Sequence, residues 1–321
     1  MINEIDIALS EISFLSLREK VTLKKNLDSL RQLTLLSIEE LSAIIGRKIK
    51  RGFWDGKSLS ESAEKSLFIM EKLGINFVLH DMEDYPALLR ESFNPPYALF
   101  YRGNIKVLQK NCISVVGTRQ VSQDGAKAAF DFARDAADDL SCVVSGLAFG
   151  VDSFAHKGAL SSEKEGATAA IIPSGIDNVV PSSNRKLASM ILEKGGLLAS
   201  EYVPGMGAER WRFVARNRIV ASLSSSTVVI QSPKGSGAMI TAEMALEANR
   251  GLYFHKAGLS QSSREVNAQT EKYRMACDRK FKDKMNRDPD LYIEDGAPVI
   301  ESYRDYKRIH SEFPKVGLFE S

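Results

Sequence analysis

Five short apolar segments, each followed at once by small or polar residues, constrain the fold of this 321-residue chain more than any other feature. They are residues 113–116, 142–145, 169–172, 197–200 and 227–230, and sequences typical of helices separate them. Apolar runs of four or five residues that alternate with helices are typical of buried parallel strands. The pattern therefore predicts a doubly wound, three-layer α/β domain. Ligands of such sheets bind outside the carboxyl ends of the strands, so we expect the functional site on that edge.

The first 75 residues predict a small N-terminal all-α domain. Ser37 and, three positions later, Glu40 form a capping box that begins a helix, and Gly46 ends it. This helical segment is more typical of a packing or linker domain than of an accessory domain that binds DNA, because basic helices usually face solvent. The α/β domain is assigned to residues 76–310 and a tail to residues 311–321.

Further elements are predicted around the five apolar runs. Two strands are expected before the runs, at 75–80 and 97–101, and one after them, at 293–300. A polar stretch begins at residue 260 and becomes strongly basic at 279–287. The helices of the α/β domain are predicted at 122–139, 152–160, 184–193, 211–223 and 238–249.

The composition narrows the class of protein. A net charge of +2 creates no overall field for nucleic acid, so any basic patch must be local. The three cysteines have neither metal-site nor disulfide spacing, and Cys112 and Cys142 are expected to be small buried side chains. We expect no metal and no cofactor. A secretory signal and a bilayer-spanning apolar stretch are both missing from the sequence, which predicts a reducing, cytoplasmic location without a membrane partner.

The turn after the first apolar run, Gly117-Thr118-Arg119, is the first candidate binding element. A glycine directly after a strand allows a tight turn, and the helix that follows directs its free amide groups to the same edge. Arg119 adds a bidentate charged donor for a phosphate. The order of residues is not G-x-G-x-x-G, which disfavours a dinucleotide cofactor. An anion site and an ordinary turn with a solvated arginine both fit these residues.

A second turn contains Ser145 and Gly146, followed by Asp152 and His156. Asp152 is predicted to cap a helix, and His156, four positions later, is predicted on the surface of that helix. An Asp-His pair is also able to support acid–base chemistry, although the capping role fits better.

Arginines follow the next two turns. Arg185 lies in the first helical turn after the predicted cap Asn184, where a cation opposes the helix dipole and gains from an anionic partner. The densest basic cluster runs from Arg210 to Arg218 and includes Arg212, Arg216 and Asn217. Trp211 and Phe213 lie between its arginines, and basic groups with aromatic faces are typical of single-stranded nucleic-acid binding. Packing of both rings in the core is the alternative interpretation.

The segment before the last core helix contains Lys234, Ser236 and Gly237. Small residues at a helix start favour an anion, but the order does not match the phosphate-binding motif G-x-x-x-x-G-K-[ST]. Glu243, near the start of this helix, fits either a catalytic carboxylate or, better, a residue that caps the helix or interacts with its dipole.

Taken together, these segments resemble the DNA-processing protein A family, also called Smf. Order and spacing agree from about residue 75 to 257. The resemblance implies an extended Rossmann-like, doubly wound parallel sheet. A charged stretch at 264–290 replaces the short return segment of the family. The matching segments are 115–119, 145–152 with 155–159, 174–177, 200–202, 213–220 and 236–243.

The resemblance also implies a function. Members of the family are non-catalytic, bind single-stranded DNA as homodimers, displace single-strand-binding protein and load the RecA recombinase onto incoming strands in natural transformation. Arg119 is accordingly expected to be the main phosphate contact, and Asn217 is expected to orient the loop. The same resemblance completes the groove with Gly117, Thr118, Ser145, Gly146, Arg185, Arg212, Arg216 and Arg218.

Two other functions fit part of the sequence. A nucleoside-monophosphate phosphoribohydrolase of the lysine-decarboxylase-like group has the motif Gly-Gly-x-Gly-Thr-x-x-Glu, which the segment from Gly235 to Glu243 resembles with one residue too many. That spacing does not place the carboxylate as the general acid needs it. A nucleotide-binding module without catalysis is the third interpretation.

Overall fold

One nine-stranded sheet organises the described part of the chain. The computed structural model describes residues 4–50, 54–277 and 287–312. The order across the sheet is β1-β2-β6-β5-β4-β3-β7-β8-β9. The strands are β1 (Asn76–Leu79), β2 (Ala98–Gly103), β3 (Cys112–Val116), β4 (Cys142–Ser145), β5 (Thr168–Ile171), β6 (Leu197–Ser200), β7 (Ser226–Val229), β8 (Gly251–His255) and β9 (Val299–Ile300).

The order of the strands places a topological switch point between β3 and β7. From β3 the chain adds β4, β5 and β6 on one side, and then returns to the other side of β3 with β7 and β8. All these neighbours pair in parallel, whereas β1 with β2 and β2 with β6 pair antiparallel. The predicted Rossmann-like, doubly wound α/β fold is confirmed. The crevice of such a sheet opens where the carboxyl ends of β3 and β7 diverge.

Helices cover both faces of the sheet, and all five predicted core helices are present within two residues of their predicted bounds. Every residue of β3 is buried, and Cys112 and Cys142 are buried and unpaired with each other, as expected. The helices after β1 are α6 (Ala87–Arg90), α7 (Gln123–Asp138), α8 (Val151–Ser161), α9 (Arg185–Glu193), α10 (Arg210–Ser222), α11 (Gly237–Glu247), α12 (Gln261–Cys277), α13 (Pro289–Glu294) and α14 (Tyr303–Glu312). These labels include α1–α5, which form the N-terminal block.

The N-terminal block consists of helices, as predicted, and packs against one edge of the sheet. The capping box is present: the Ser37 hydroxyl accepts from the Glu40 amide at 3.1 Å, and the Glu40 carboxylate accepts from the Ser37 amide at 2.8 Å. Leu9 and Leu33 share one apolar core with Phe100 of β2. The boundary at residue 75 stays a prediction. The block comprises α1 (Glu4–Glu11), α2 (Leu17–Asn26), α3 (Leu30–Leu35), α4 (Ile38–Ile45) and α5 (Gly56–Leu73).

The region after β7 differs from the prediction. The strand predicted at 293–300 is wrong over most of its length, because Asp288 caps a helix at Pro289–Glu294 and only Val299–Ile300 joins the sheet. None of the five predicted apolar runs corresponds to β8, so the prediction missed this strand. The polar stretch that begins at residue 260 forms α12. The predicted basic stretch 279–287 lies, apart from its last residue, outside the described residues, as does the tail from residue 313.

Within the described ranges, we find no helix with both the length and the apolar character needed to cross a bilayer.

His156 of α8 is fully buried rather than on the helix surface as predicted, and its Nδ1 lies 2.7 Å from the Thr168 hydroxyl. Burial, reinforced by the positive charge of Arg216, lowers the pKa of His156 to about 3. The folded protein therefore holds this ring neutral.

The buried ring predicts a loss of stability in acid. The unfolded chain protonates His156 near the ordinary histidine pKa of about 6.5, whereas in the folded chain the pKa is about 3. Its contribution is thus fully present above pH 6.5 and is lost as the pH falls towards 3, by about 1.4 kcal/mol per pH unit. In urea unfolding at about pH 7 and about pH 5, on either side of that ordinary pKa, His156→Gln should lose less stability on acidification than the wild type. The partly exposed control His80→Gln should retain the wild-type slope far better, and equal slopes for wild type and His156→Gln would contradict this explanation.

Candidate functional site

A cleft of about 510 Å³ opens at the switch point between β3 and β7. We call it the switch-point cleft. Its wall includes the turn after β3, the turn after β4, the start of α11 and one side of α10. Eight of the thirteen predicted site residues line it, namely Gly117, Thr118, Arg119, Gly146, Arg216, Asn217, Ser236 and Gly237. The topology thus brings most of the predicted site together.

The turn after β3 is held rigidly. The amide of Thr118 donates to the Gln231 carbonyl at 2.8 Å, and the Thr118 carbonyl accepts from the Val151 amide at 3.1 Å. A Cβ at Gly117 would overlap with Val151 and with the Gln231 carbonyl, so only glycine fits between them. This packing fixes where the next residue, Arg119, leaves the backbone.

Arg119 is an exposed cation at the mouth of the cleft. Its guanidinium lies 5.3 Å from the centre of the Phe213 ring, on α10. Among the residues that the structure describes, no carboxylate forms an ion pair with Arg119. A guanidinium that lies on an aromatic face and has no carboxylate partner is well placed to bind a phosphate and donate hydrogen bonds to it.

Arg216 lies beneath the cleft rather than on its rim. Only 4% of the residue is exposed, and its Nη1 donates to the Ile171 carbonyl at 2.7 Å. The guanidinium contacts Gly146 so closely that a Cβ there would overlap with it. Burial lowers the pKa of Arg216 to about 10, and the charge of Asp152 opposes this shift. The prediction of Arg216 as an exposed groove residue is therefore corrected to a buried brace.

Asp152 and His156 do not form an acid–base pair. Asp152 accepts from the amides of Gly146 at 3.1 Å and Ala148 at 3.3 Å, so it holds the turn after β4. Gly150 occupies the N-cap of α8, which makes the predicted capping role of Asp152 wrong. Burial raises the pKa of Asp152, while Arg216 is the strongest influence in the opposite direction. The carboxyl thus serves the turn and is not presented to a ligand.

The start of α11 forms the far wall of the cleft. Ser236 caps the helix and accepts from the Met239 amide at 3.3 Å, as a capping serine should. Gly237 is exposed beside Ser236, and the side-chain Nδ2 of Asn217 donates to the Gly237 carbonyl at 3.2 Å. Asn217 therefore ties α10 to α11, and its predicted role in orienting the loop stays a prediction. The free amides and the dipole of α11 add to the positive potential at Arg119.

The other predicted site residues lie outside the cleft. Three cations are already paired with carboxylates: Arg218 with Glu201 at 2.6 Å, Arg212 with Glu209 at 2.8 Å, and Lys234 with Asp288. Ion pairing removes most of their attraction for a phosphate, which corrects the prediction of three further free contacts. The partners of Arg218 and Lys234 are distant in sequence, whereas Glu209 lies three positions before Arg212, a spacing that the sequence does show.

Ser145 and Arg185 also stand apart from the cleft. The Ser145 hydroxyl is buried and donates to the Val115 carbonyl at 2.7 Å, between β4 and β3. Arg185 is exposed at the first position of α9. The predicted cap Asn184 makes no capping hydrogen bond and instead donates to the Leu147 carbonyl at 2.9 Å. Arg185 thus lies near the turn after β4, and no carboxylate of the described residues forms an ion pair with it.

Sequence reasoning missed the contribution of α12. Its residues Thr270 and Tyr273 line the switch-point cleft, and Tyr273 is 71% exposed. A buried network anchors the helix: the Gln231 side chain accepts from the Ser122 amide at 3.0 Å and donates to Asn267 at 3.1 Å. The polar sequence of α12 has no apolar period that would have placed it here.

The fold and the cleft define an extended Rossmann-like protein with an open cleft at the switch point of its sheet. The family model described as DNA recombination-mediator protein A matches residues 76–306, so the chain belongs to that family. Protein Smf of Borreliella burgdorferi is 30% identical over 248 residues, which are 77% of each protein.

Two solved structures are similar to this one. The X-ray structure of DNA processing protein A from Streptococcus pneumoniae has a TM-score of 0.71 and 25% identity, and the match covers 98% of this chain and 99% of that one. A structure of DNA processing protein A from Helicobacter pylori, described for its single-stranded DNA binding mode, has a TM-score of 0.51 and 27% identity. That match covers 56% of this chain and 80% of that one.

The contact between Gly146 and Arg216 predicts a coupled effect on stability. Gly146→Ala should destabilise the fold by roughly 1–3 kcal/mol, the usual cost of overpacking, because the new Cβ displaces the Arg216 guanidinium. In urea unfolding, the same substitution should cost less in an Arg216→Met background. Gly207→Ala is the control, since a Cβ at Gly207 meets nothing within 4 Å. An equal cost in both backgrounds would show that the contact is not the cause.

Proposed function

We propose that this protein binds single-stranded DNA through its phosphate backbone at the switch-point cleft. The observation that carries the proposal is Arg119, an exposed guanidinium without a carboxylate partner among the described residues, stacked on Phe213 beside the start of α11. Cations that follow phosphates and aromatic faces that stack on bases are the two components of single-strand binding. The structural likeness to the DNA processing protein A of Helicobacter pylori supports the same function.

A strand fits the site better than a dinucleotide cofactor does. The turn at Gly117 lacks the G-x-G-x-x-G sequence. Arg119 follows in the part of the turn where the glycines of that motif let the backbone come close to the pyrophosphate of the cofactor. Arg185, at the start of α9, supplies a further exposed cation on the same edge of the sheet. Several anion-binding elements along one edge suit a chain of phosphates.

The proposal assigns no catalytic role to the cleft. The carboxyl that lines the cleft, that of Asp152, accepts from two backbone amides of the turn after β4. Glu243, which a phosphoribohydrolase would need as an acid, forms an ion pair with Arg287 at 2.6 Å. Neither contact favours hydrolysis of a nucleoside monophosphate.

The wider role that we propose is recombination mediation in the cytoplasm. The protein would act as a homodimer, displace single-strand-binding protein and load the RecA recombinase onto incoming strands during natural transformation. Membership of the DNA recombination-mediator protein A family supports this role. A protein that holds phosphates and the flat faces of bases leaves the base edges accessible for pairing, which a mediator requires.

Removal of the Arg119 charge should weaken binding strongly. Arg119→Ala should lower the affinity for oligo-dT roughly 10- to 150-fold, the equivalent of one hydrogen bond to a charged group. It should also reduce the slope of log affinity against log salt by about 0.7, the value for one lost phosphate contact on a single strand. Fluorescence anisotropy at two salt concentrations measures both quantities.

The matched control for Arg119 is Arg304→Ala, an exposed arginine on α14 that does not line the cleft. It should leave affinity and salt slope near the wild-type values. Unchanged oligo-dT affinity in Arg119→Ala, or an equal loss in both variants, would refute the assignment of the cleft.

The mediator role has a separate test. On single strands covered with single-strand-binding protein, wild-type protein should shorten the delay before DNA-dependent ATP hydrolysis by RecA. Arg119→Ala should not shorten it, because the protein must reach the strand first. A delay that wild-type protein leaves unchanged, although it binds oligo-dT, would contradict recombinase loading while leaving DNA binding intact.

A further inference from the structure

A second cleft, of about 570 Å³, lies on the opposite side of α10 from the switch-point cleft. It opens between α10, the end of β6 and the N-terminal helices α1 and α2. Trp211, Arg212 and Arg218 of α10 line it, whereas Phe213 and Asn217 of the same helix line the switch-point cleft. A helix with its side chains is about 10–12 Å across, so the two clefts are separated by little more than one helix.

The second cleft presents an aromatic surface. Trp211 is 52% exposed, and its indole is held by a hydrogen bond to Glu209 at 2.8 Å and by edge contact with the Tyr202 ring. The Arg212 guanidinium lies 4.8 Å from the Tyr202 ring centre and 5.3 Å from that of Trp211. A half-exposed indole on so rigid a support is suited to stacking against a flat ligand.

The same cleft contains a buried cation. Lys20 of α2 is only 8% exposed, and its Nζ donates to the Ser10 carbonyl at 3.3 Å. In the described ranges no carboxylate lies within ion-pairing distance of Lys20. An unpaired buried ammonium is costly, and an anion in the cleft would offset that cost. The buried Nε of Arg212 also lacks a hydrogen-bond partner among the described residues.

The two carboxylates that line the second cleft, Glu11 and Glu201, each have a hydrogen-bond partner of their own. Glu201 is held by both terminal nitrogens of Arg218, at 2.6 and 2.9 Å. Burial raises the pKa of Glu11, whose carboxylate accepts from the Ser66 hydroxyl at 3.1 Å. Lys20 is therefore the cation of this lining that has no carboxylate within ion-pairing distance among the described residues.

We propose that the second cleft binds further nucleotides of the same single strand, with a base stacked on Trp211 and a phosphate near Lys20. The inference rests on the proposed DNA binding at the switch-point cleft. It makes the N-terminal helices part of the DNA-binding surface, because Lys20 belongs to α2. A nucleotide supplies both a base that stacks on the aromatic surface and a phosphate that neutralises Lys20. Because residues of α10 line both clefts, a nucleotide of the same strand is favoured over a free one.

The chain offers a direct optical reporter. It contains two tryptophans, Trp54 and Trp211, so Trp54→Phe leaves Trp211 as the sole indole. Fluorescence of this variant should be quenched by oligo-dT of about 16 nucleotides, the upper end of the usual site size, with the same midpoint as binding measured by anisotropy. Oligo-dT of about 4 nucleotides, the lower end of that range, should bind without comparable quenching, because the switch-point cleft alone accommodates it.

Affinity should depend on Trp211 only for long strands. Trp211→Ala should weaken binding of the longer oligonucleotide roughly 5- to 150-fold, as for one lost stacked base, and leave the shorter one unchanged. Trp211→Phe should retain most of the affinity. The control is Phe68→Ala, a 63% exposed aromatic residue that lines neither cleft.

The contributions of charge and of base stacking to the affinity are distinguished by how the affinity depends on salt concentration. Lys20→Met should lower the salt slope for the longer strand by about 0.7, whereas Trp211→Ala should leave the slope unchanged. Lys25→Met, an exposed lysine on the same helix, is the matched control. Should Lys20→Met fail to fold, the fluorescence of Trp211 still decides the question.

Two outcomes would overturn the inference without touching the proposed function. One is tight, Arg119-dependent binding of the longer strand with no quenching of Trp211 and no effect of Trp211→Ala. The other is quenching by thymidine 5′-monophosphate but not by the longer strand, which would assign the second cleft to a free nucleotide. By contrast, a wild-type protein that fails to bind oligo-dT at all would contradict the proposed function itself.

Discussion

A buried guanidinium holds the edge of the sheet in the shape on which the site depends. Arg216 projects from α10, donates to the carbonyl at the end of β5 and fills the space that the absent side chain of Gly146 leaves after β4. Asp152 faces the same group and binds two amides of the turn after β4. Strands β4 and β5 are thereby joined to α10 at a single point. Because the charge is buried and braced, it positions the cleft and leaves ligand contact to other residues.

The cations of this edge divide into two groups by their surroundings. Arg216 is buried, and Arg212, Arg218 and Lys234 are paired with carboxylates, so none of the four offers a free charge to solvent. Arg119 is exposed and lies on an aromatic ring. A phosphate is therefore expected to contact Arg119 first, with the amides at the start of α11 beside it. The dense cluster of arginines in the sequence is mainly structural.

Much of the fold followed from the sequence because its signals are local. Buried parallel strands require short apolar runs, and helix caps require particular residues at particular positions, as the capping box at Ser37 shows. The region after β7 was harder. The run at 251–255 is short and begins with glycine, and α13 depends on a cap and a proline within a segment that is apolar enough to predict a strand.

The site was predicted in outline and corrected in detail. Turns after parallel strands must meet at one edge, so Gly117, Gly146 and Gly237 were grouped correctly from the order of elements alone. Whether a charged residue is exposed depends on partners that are distant in sequence. Arg216 contacts the end of β5, 45 positions away, and Lys234 pairs with Asp288, 54 positions away by their numbers. Pairing at that separation leaves no pattern in a single sequence.

Hydrogen–deuterium exchange with and without oligo-dT tests the central claim most directly. We predict slower exchange in peptides that contain the turn after β3, at 117–121, and the start of α11, at 236–240, when the oligonucleotide is bound. Peptides from α14, whose residues do not line the cleft, should exchange at the same rate in both samples. Tight binding with no protection at either element of the switch-point cleft would contradict the claim that this cleft holds the strand.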